Sequence, residues 1–187
     1  MATSVSVYLG SAEATAEWRE FAFNFGKSLA EHNIRVVYGG ANVGTMASLA
    51  DGVIAGHGHL TGVFPVGFGG KREVAAHRRD IIRKDLTELI EVRDFAERKK
   101  VMRELSDCCI VMPGSYGTLD ELFCYAVENE IGVHDKVSYV LNIGGYYDGL
   151  EKQVTEMKKE GFIRADSRII VFVHSVEDLF SRYLLEH

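Results

Sequence analysis

The sequence predicts an α/β fold, a parallel sheet covered on both faces by helices. Two observations carry that expectation. Short apolar runs rich in valine and isoleucine alternate with stretches of roughly 10–18 residues whose apolar positions recur at helical spacing. Several of the runs end in glycine, at Gly10, at Gly39-Gly40 and at Gly114. In such sheets the carboxyl ends of the strands lie along one edge, and ligands bind there. The three glycine-bearing strand ends are therefore expected to converge. No repeat, low-complexity stretch or linker interrupts residues 1–187, which read as one domain.

The elements follow in order. Val5, Val7 and Leu9 mark the first strand, and residues 13–31 a helix with Trp18, Phe21, Phe25 and Leu29 turned to the core. Residues 34–38 form a strand leading into the turn Gly39-Gly-Ala-Asn-Val-Gly44. A helix over 44–56 then carries Met46, Leu49 and Val53 inward. Residues 59–64 are a strand stopped by Pro65. Residues 66–85, with Lys71, Arg72, Arg78 and Arg79, show little periodicity, and a loop of that length is often functional. A strand at 89–92 precedes a helix at 94–106, capped by Asp94. Residues 110–112 form a buried strand broken by Pro113-Gly114, and the next helix runs to about Glu130. Strands at 137–142 and 169–173 and helices at 147–159 and 176–185 complete the chain.

Composition sets the class. With 47% hydrophobic and 26% charged residues in 187, the chain can bury a core without staples. A net charge of −6 argues against nucleic acid or an anionic membrane as the main partner. No long apolar run and no basic-then-apolar leader is present, so a soluble, cytoplasmic protein is expected. Cys108, Cys109 and Cys124 have no metal-ligand spacing and fit a reduced compartment. The seven histidines form no metal pattern either, so no metal is called for.

The chemistry concentrates in Cys108–Tyr125. Strand, glycine turn and helix aim free backbone N–H groups and a positive helix end at an anion, and phosphate is the natural guest. Glu121 lies one turn into that helix, where a carboxylate has a use if it acts on what the phosphate carries. The plainer reading is also open: Thr118-Leu-Asp-Glu121 fits a capping box, as does Asp94-x-x-Glu97. Arg98 falls within the stripe Phe95, Arg98, Met102, Leu105, so it either snorkels to water or seeks a carboxylate or phosphate. Ala41 breaks the dinucleotide fingerprint and no P-loop occurs, so a mononucleotide fits better than NAD or a triphosphate. The turn at Asn142 reads as the start of the next helix.

Pro113-Gly-Ser-Tyr-Gly-Thr-Leu-Asp-Glu121 resembles the PGGxGTxxE signature of the LOG family, the cytokinin riboside 5′-monophosphate phosphoribohydrolases long labelled lysine decarboxylases. Tyr38-Gly-Gly-Ala-Asn-Val-Gly-Thr-Met46 is similar to its YGGGxxGLM turn, and Glu97-Arg-Lys-Lys-Val-Met102 to its ERKxxM helix. His134-Asp-Lys136 and Leu141-Asn-Ile-Gly-Gly-Tyr-Tyr-Asp148 resemble its HDKP and LLNxxGYYD segments.

The resemblance implies a Rossmann-like homodimer that needs no cofactor and splits the N-glycosidic bond of a nucleoside 5′-monophosphate. Arg98 and Glu121 take the catalytic roles by motif position. Lys99, Gly114, Ser115, Tyr116, Gly117, Thr118, Leu119 and Asp120 take substrate binding, and Glu73 matches a family glutamate that contacts substrate. The departures are Ser115 for the second glycine of PGG, Ala41 for the third of YGGG, and Phe95-Ala96 for Met-His. Cys124, Val127 and Glu128 stand where Glu, Thr and Trp are expected, and Val137 replaces a proline. A nucleotide-binding or carrier protein without hydrolase activity is the competing expectation. The lysine decarboxylase label would need a lysine placed to carry pyridoxal phosphate, which no motif supplies.

Overall fold

A run such as Cys108–Met112, apolar at every position, sits where both faces of a sheet are covered. The computed structural model describes residues 3–67 and 79–186 and contains that arrangement. Its strands are β1 (Ser4–Tyr8), β2 (Arg35–Tyr38), β3 (Leu60–Pro65), β4 (Glu88–Val92), β5 (Cys108–Val111), β6 (Ser138–Leu141) and β7 (Ile170–Val173). The helices among the described residues are α1 (Ala16–Glu31), α2 (Gly44–Ala55), α3 (Phe95–Glu104), α4 (Tyr116–Glu130), α5 (Asp148–Lys159) and α6 (Val176–Glu186). All pairings are parallel and the order is β4-β3-β2-β1-β5-β6-β7. The expected doubly wound, Rossmann-like sheet is present, with strand and helix ends displaced by a few residues.

Alternation along each strand sorts the core into two layers. Val5, Val36, Tyr38, Cys108 and Ile110 face Phe25 and Leu29 of α1, Leu49 and Val53 of α2 and Leu179 of α6. Tyr8, Val37, Cys109 and Val111 face Met102 of α3 and Leu122 and Tyr125 of α4. Cys108 and Cys109 thus point to opposite faces, both fully buried and outside any disulfide, as expected. Helices α1 and α2 touch backbone to backbone through Gly26 and Gly52. A β-carbon on Gly52 would fall inside the van der Waals radius of Phe23 O, and one on Gly26 would strike Leu49 O. That approach seats α2, and with it the β2–α2 turn, hard against the sheet.

Two expectations change. Trp18 is not a core residue: it is half-buried and stands edge-on to Phe21 (5.9 Å) and Tyr146 (5.7 Å) at the carboxyl edge of the sheet. The stripe on α3 is thinner than its spacing suggests, since Phe95 and Leu105 are both partly exposed and Met102 alone of the apolar three is buried. An amphipathic pattern states which face is turned inward but not how far the partner surface extends.

Candidate active site

The chain runs outward from β1 in one direction to β4, then returns to β5 on the other side of β1. The loops after these two strands part company, and the crevice between them is the ligand position of such sheets. Here the three glycine-bearing ends do meet: a β-carbon on Gly10 would lie 3.5 Å from Gly114 Cα, and one on Gly39 would lie 3.2 Å from an Arg98 nitrogen. The crevice opens into a cleft of about 590 Å³. One part is polar, with Arg98, Ser115, Gly117, Thr118 and Glu121. The other is apolar, with Ala41, Val43, Phe64, Ile81 and Phe95.

Helix α4 begins at the floor of this cleft. Ser115 is its N-cap but makes no capping bond through its side chain, and Leu119 N is the first amide to bond back, to Ser115 O at 3.1 Å. The amides before it are left for a ligand, where the helix dipole favours negative charge. Gly117 has open space where a side chain would stand, so an anion can approach its backbone. Gly114 is required differently: a β-carbon there would collide with the Thr118 side chain.

The capping box expected at Thr118–Glu121 does not form. The helix starts two residues earlier, Thr118 is buried within its first turn, and the Glu121 carboxylate accepts a hydrogen bond from Arg98 of α3 instead. Both members of this ion pair are largely withdrawn from water, with side-chain exposures of 15% and 8%. Arg98 is flanked by the Phe95 ring, 4.8 Å from its guanidinium carbon, and its Nε is buried without a hydrogen-bond partner among the described residues. Burial raises the Glu121 carboxyl above its ordinary value, and the Arg98 charge only partly offsets this. At Asp94–Glu97 the same pattern is a true cap: Asp94 Oδ1 accepts from Glu97 N (2.9 Å) and Glu97 Oε2 from Arg93 N (2.6 Å).

Two further ion pairs run beside Arg98–Glu121, Lys99 with Asp120 at 2.8 Å and Arg103 with Glu128. Burial pulls the Lys99 ammonium down, but Asp120 and Cys124 beside it prevail and hold it above its ordinary value. Neither Lys99 nor Asp120 lines the cleft, and Leu119 packs into the second core layer. Tyr116 is 92% exposed and its side chain stays out of the cleft, leaving its amide as its one offering there. Glu73 lies outside the described residues. No group of three metal-ligating side chains occurs among those that are described.

Sequence reasoning passed over two tyrosines. Tyr147 OH donates to Met112 O and Tyr146 OH to Gly114 O, each at 2.8 Å, so the strand end and glycine turn before α4 are braced from the next loop. Asn142 fixes that loop by accepting from Tyr147 N (2.7 Å) and donating to Asp148 and Glu151. The start-of-helix reading of Asn142 therefore holds, with bracing added. The His134-Asp-Lys136 segment is structural in a similar way: Lys136 Nζ donates to Arg103 O and Ser106 O at the end of α3.

Because the folded Glu121 carboxyl titrates above the unfolded one, its ionisation costs stability as pH rises through that interval. A 13C titration of Glu121 is expected to fall above the ordinary glutamate value of about 4.3. Arg98→Met should move it higher, since Arg98 is the main group lowering it. A carboxyl titrating at or below the ordinary value would contradict this electrostatic account.

Comparison with known proteins agrees with the motifs. The sequence model of a family described as "Possible lysine decarboxylase" matches residues 46–183. An Arabidopsis thaliana protein named "Probable cytokinin riboside 5′-monophosphate phosphoribohydrolase" is 33% identical over 98% of this chain and 90% of its own length. The cytokinin riboside 5′-monophosphate phosphoribohydrolase of Rhodococcoides fascians is 35% identical over 91% of this chain and 83% of its own. Among solved structures, the molybdenum cofactor binding protein of Rippkaea orientalis superposes with a TM-score of 0.71 at 19% identity, covering 100% of this chain and 98% of that one. That last likeness concerns the fold alone. With near-full-length relatives and the family match in agreement, the chain belongs to the LOG family, whose curated members carry the phosphoribohydrolase name.

Proposed function

We propose that this protein hydrolyses the N-glycosidic bond of nucleoside 5′-monophosphates with adenine-type bases, cytokinin riboside monophosphates included, giving the free base and ribose 5-phosphate. The observation that carries the reading is the withdrawn Arg98–Glu121 pair beside the free amides at the start of α4. In this mechanism the 5′-phosphate binds those amides and the base occupies the apolar part of the cleft. Four residues of helix rise about 6 Å, so Glu121 stands one turn above Gly117, at the reach of a ribose from its phosphate. Loss of the base builds positive charge on C1′ and O4′. The Glu121 carboxylate stabilises that charge and orients the attacking water, while Arg98 holds the carboxylate and clamps the sugar phosphate. A decarboxylase would need a lysine in the cleft to carry pyridoxal phosphate, and none lines it among the described residues.

A homodimer is part of the proposal. Phe123, Val127 and Ile131 form an exposed apolar stripe along α4, at 39%, 51% and 70% exposure. The stripe borders a groove of about 200 Å³ lined by Val154, Met157, Ile163 and Ile169, and a second copy covers it. A cytoplasmic location fits three cysteines that form no disulfide.

Purified protein incubated with AMP and with isopentenyladenosine monophosphate should release base and ribose 5-phosphate, and the corresponding nucleosides should stay intact. Glu121→Gln should slow release on the order of 100-fold or more in protein that melts earlier but is still folded at the assay temperature. Tight nucleotide binding with no release would support the carrier reading instead. Light scattering should return twice the chain mass, and Val127→Glu should return one; a monomeric wild type would remove the dimer from the account.

A further inference from the structure

Residues 81–83 form a strap seated by its backbone against the β2–α2 turn, and Ile81 lines the cleft. Asn42 N donates to Ile81 O (2.6 Å), Arg83 N donates to Gly40 O (3.0 Å), and Ala41 and Ile82 form an antiparallel bridge. The side chain that fastens this strap is Arg83, 8% exposed. Its Nε and Nη2 donate to the two Asp85 oxygens at 2.7 and 3.0 Å, and Nη2 also meets Asp51 Oδ1 at 2.7 Å. Its Nη1 donates to Asn42 Oδ1 and Ala47 O, both at 3.2 Å. One planar fork thus ties the strap to the turn and to two successive turns of α2. Lysine, a single flexible point charge, cannot make this set of bonds. Arg83 does not itself line the cleft, but Ala41, Val43 and Ile81, which it holds together, do.

We propose that Arg83 is a positioning residue that builds the apolar wall of the substrate cleft, fixing Ile81 against the Ala41–Val43 turn so that the nucleobase is held for cleavage. This rests on the phosphoribohydrolase reading. The wall offers the base apolar contact and brings no charge to the reacting bond, so it governs how well the base is bound and not how fast the bond breaks. Asp51 and Asp85 are more than half exposed. Removing Arg83 therefore leaves no unpaired charge in the core, and the variants are expected to fold.

The test is steady-state kinetics of Arg83→Met, Arg83→Lys and Ile81→Ala with AMP, alongside melting and amide hydrogen exchange. Arg83→Met should raise KM roughly tenfold with kcat within about threefold of wild type. The Asn42 and Arg83 amides should exchange faster. Ile81→Ala should shift KM in the same direction, and Arg83→Lys should recover only part of the loss. A lowered melting temperature with unchanged KM would make the strap purely structural and overturn the proposal, as would a fall in kcat as large as that in kcat/KM. If the wild type releases no base, calorimetric titration with AMP decides separately. A Kd weakened about tenfold in Arg83→Met keeps the wall as part of a binding site; an unchanged Kd, or no binding by the wild type, rejects it.

Discussion

Everything at the cleft depends on one ion pair between helices that share little apolar surface. Arg98 and Glu121 are taken out of water together, and removing either partner of such a pair leaves an uncompensated charge at a cost of about 3–5 kcal/mol. Helix α3 buries only Met102 and Arg103, so hydrophobic contact alone does not fix its position. Its register against α4 is instead set by three ion pairs, each joining a cation on α3 to an anion on α4. The geometry that organises the site also docks the helix.

Around that pair, the scaffold supplies rigidity from several sides. The Gly26–Gly52 approach locks α2 to α1, the two tyrosine hydroxyls hold the carbonyls ahead of α4, and Arg83 secures the opposite rim. Each support is anchored to a parallel strand or to a helix packed on the sheet, so the residues around the cleft are held from fixed elements. Such preorganisation suits a reaction in which charge develops briefly and must meet dipoles already in place.

The local pattern made the layered fold legible, because period-2 and period-3.6 repeats are set by residues close in the chain. It also marked Arg98, Glu121 and the glycine turn as unusual. The limits show in two identical signals. Asp94-x-x-Glu97 and Thr118-x-x-Glu121 both read as capping boxes, yet only the first caps its helix, because Arg98, 23 residues away from Glu121, captures the second glutamate. Trp18 has the spacing of a core residue but stands at the sheet edge beside Tyr146. Arg83, Tyr146 and Tyr147 act across 32–41 residues of sequence, where no periodicity operates.

The central claim is that Arg98 and Glu121 act as one catalytic unit. A double-mutant cycle on base release from AMP, using Arg98→Met and Glu121→Gln, tests it most directly. If the pair works as a unit, the double variant loses about as much rate as the worse single variant, because either change alone already disables the other residue. Rate losses that multiply, each residue contributing independently of the other, would contradict the account.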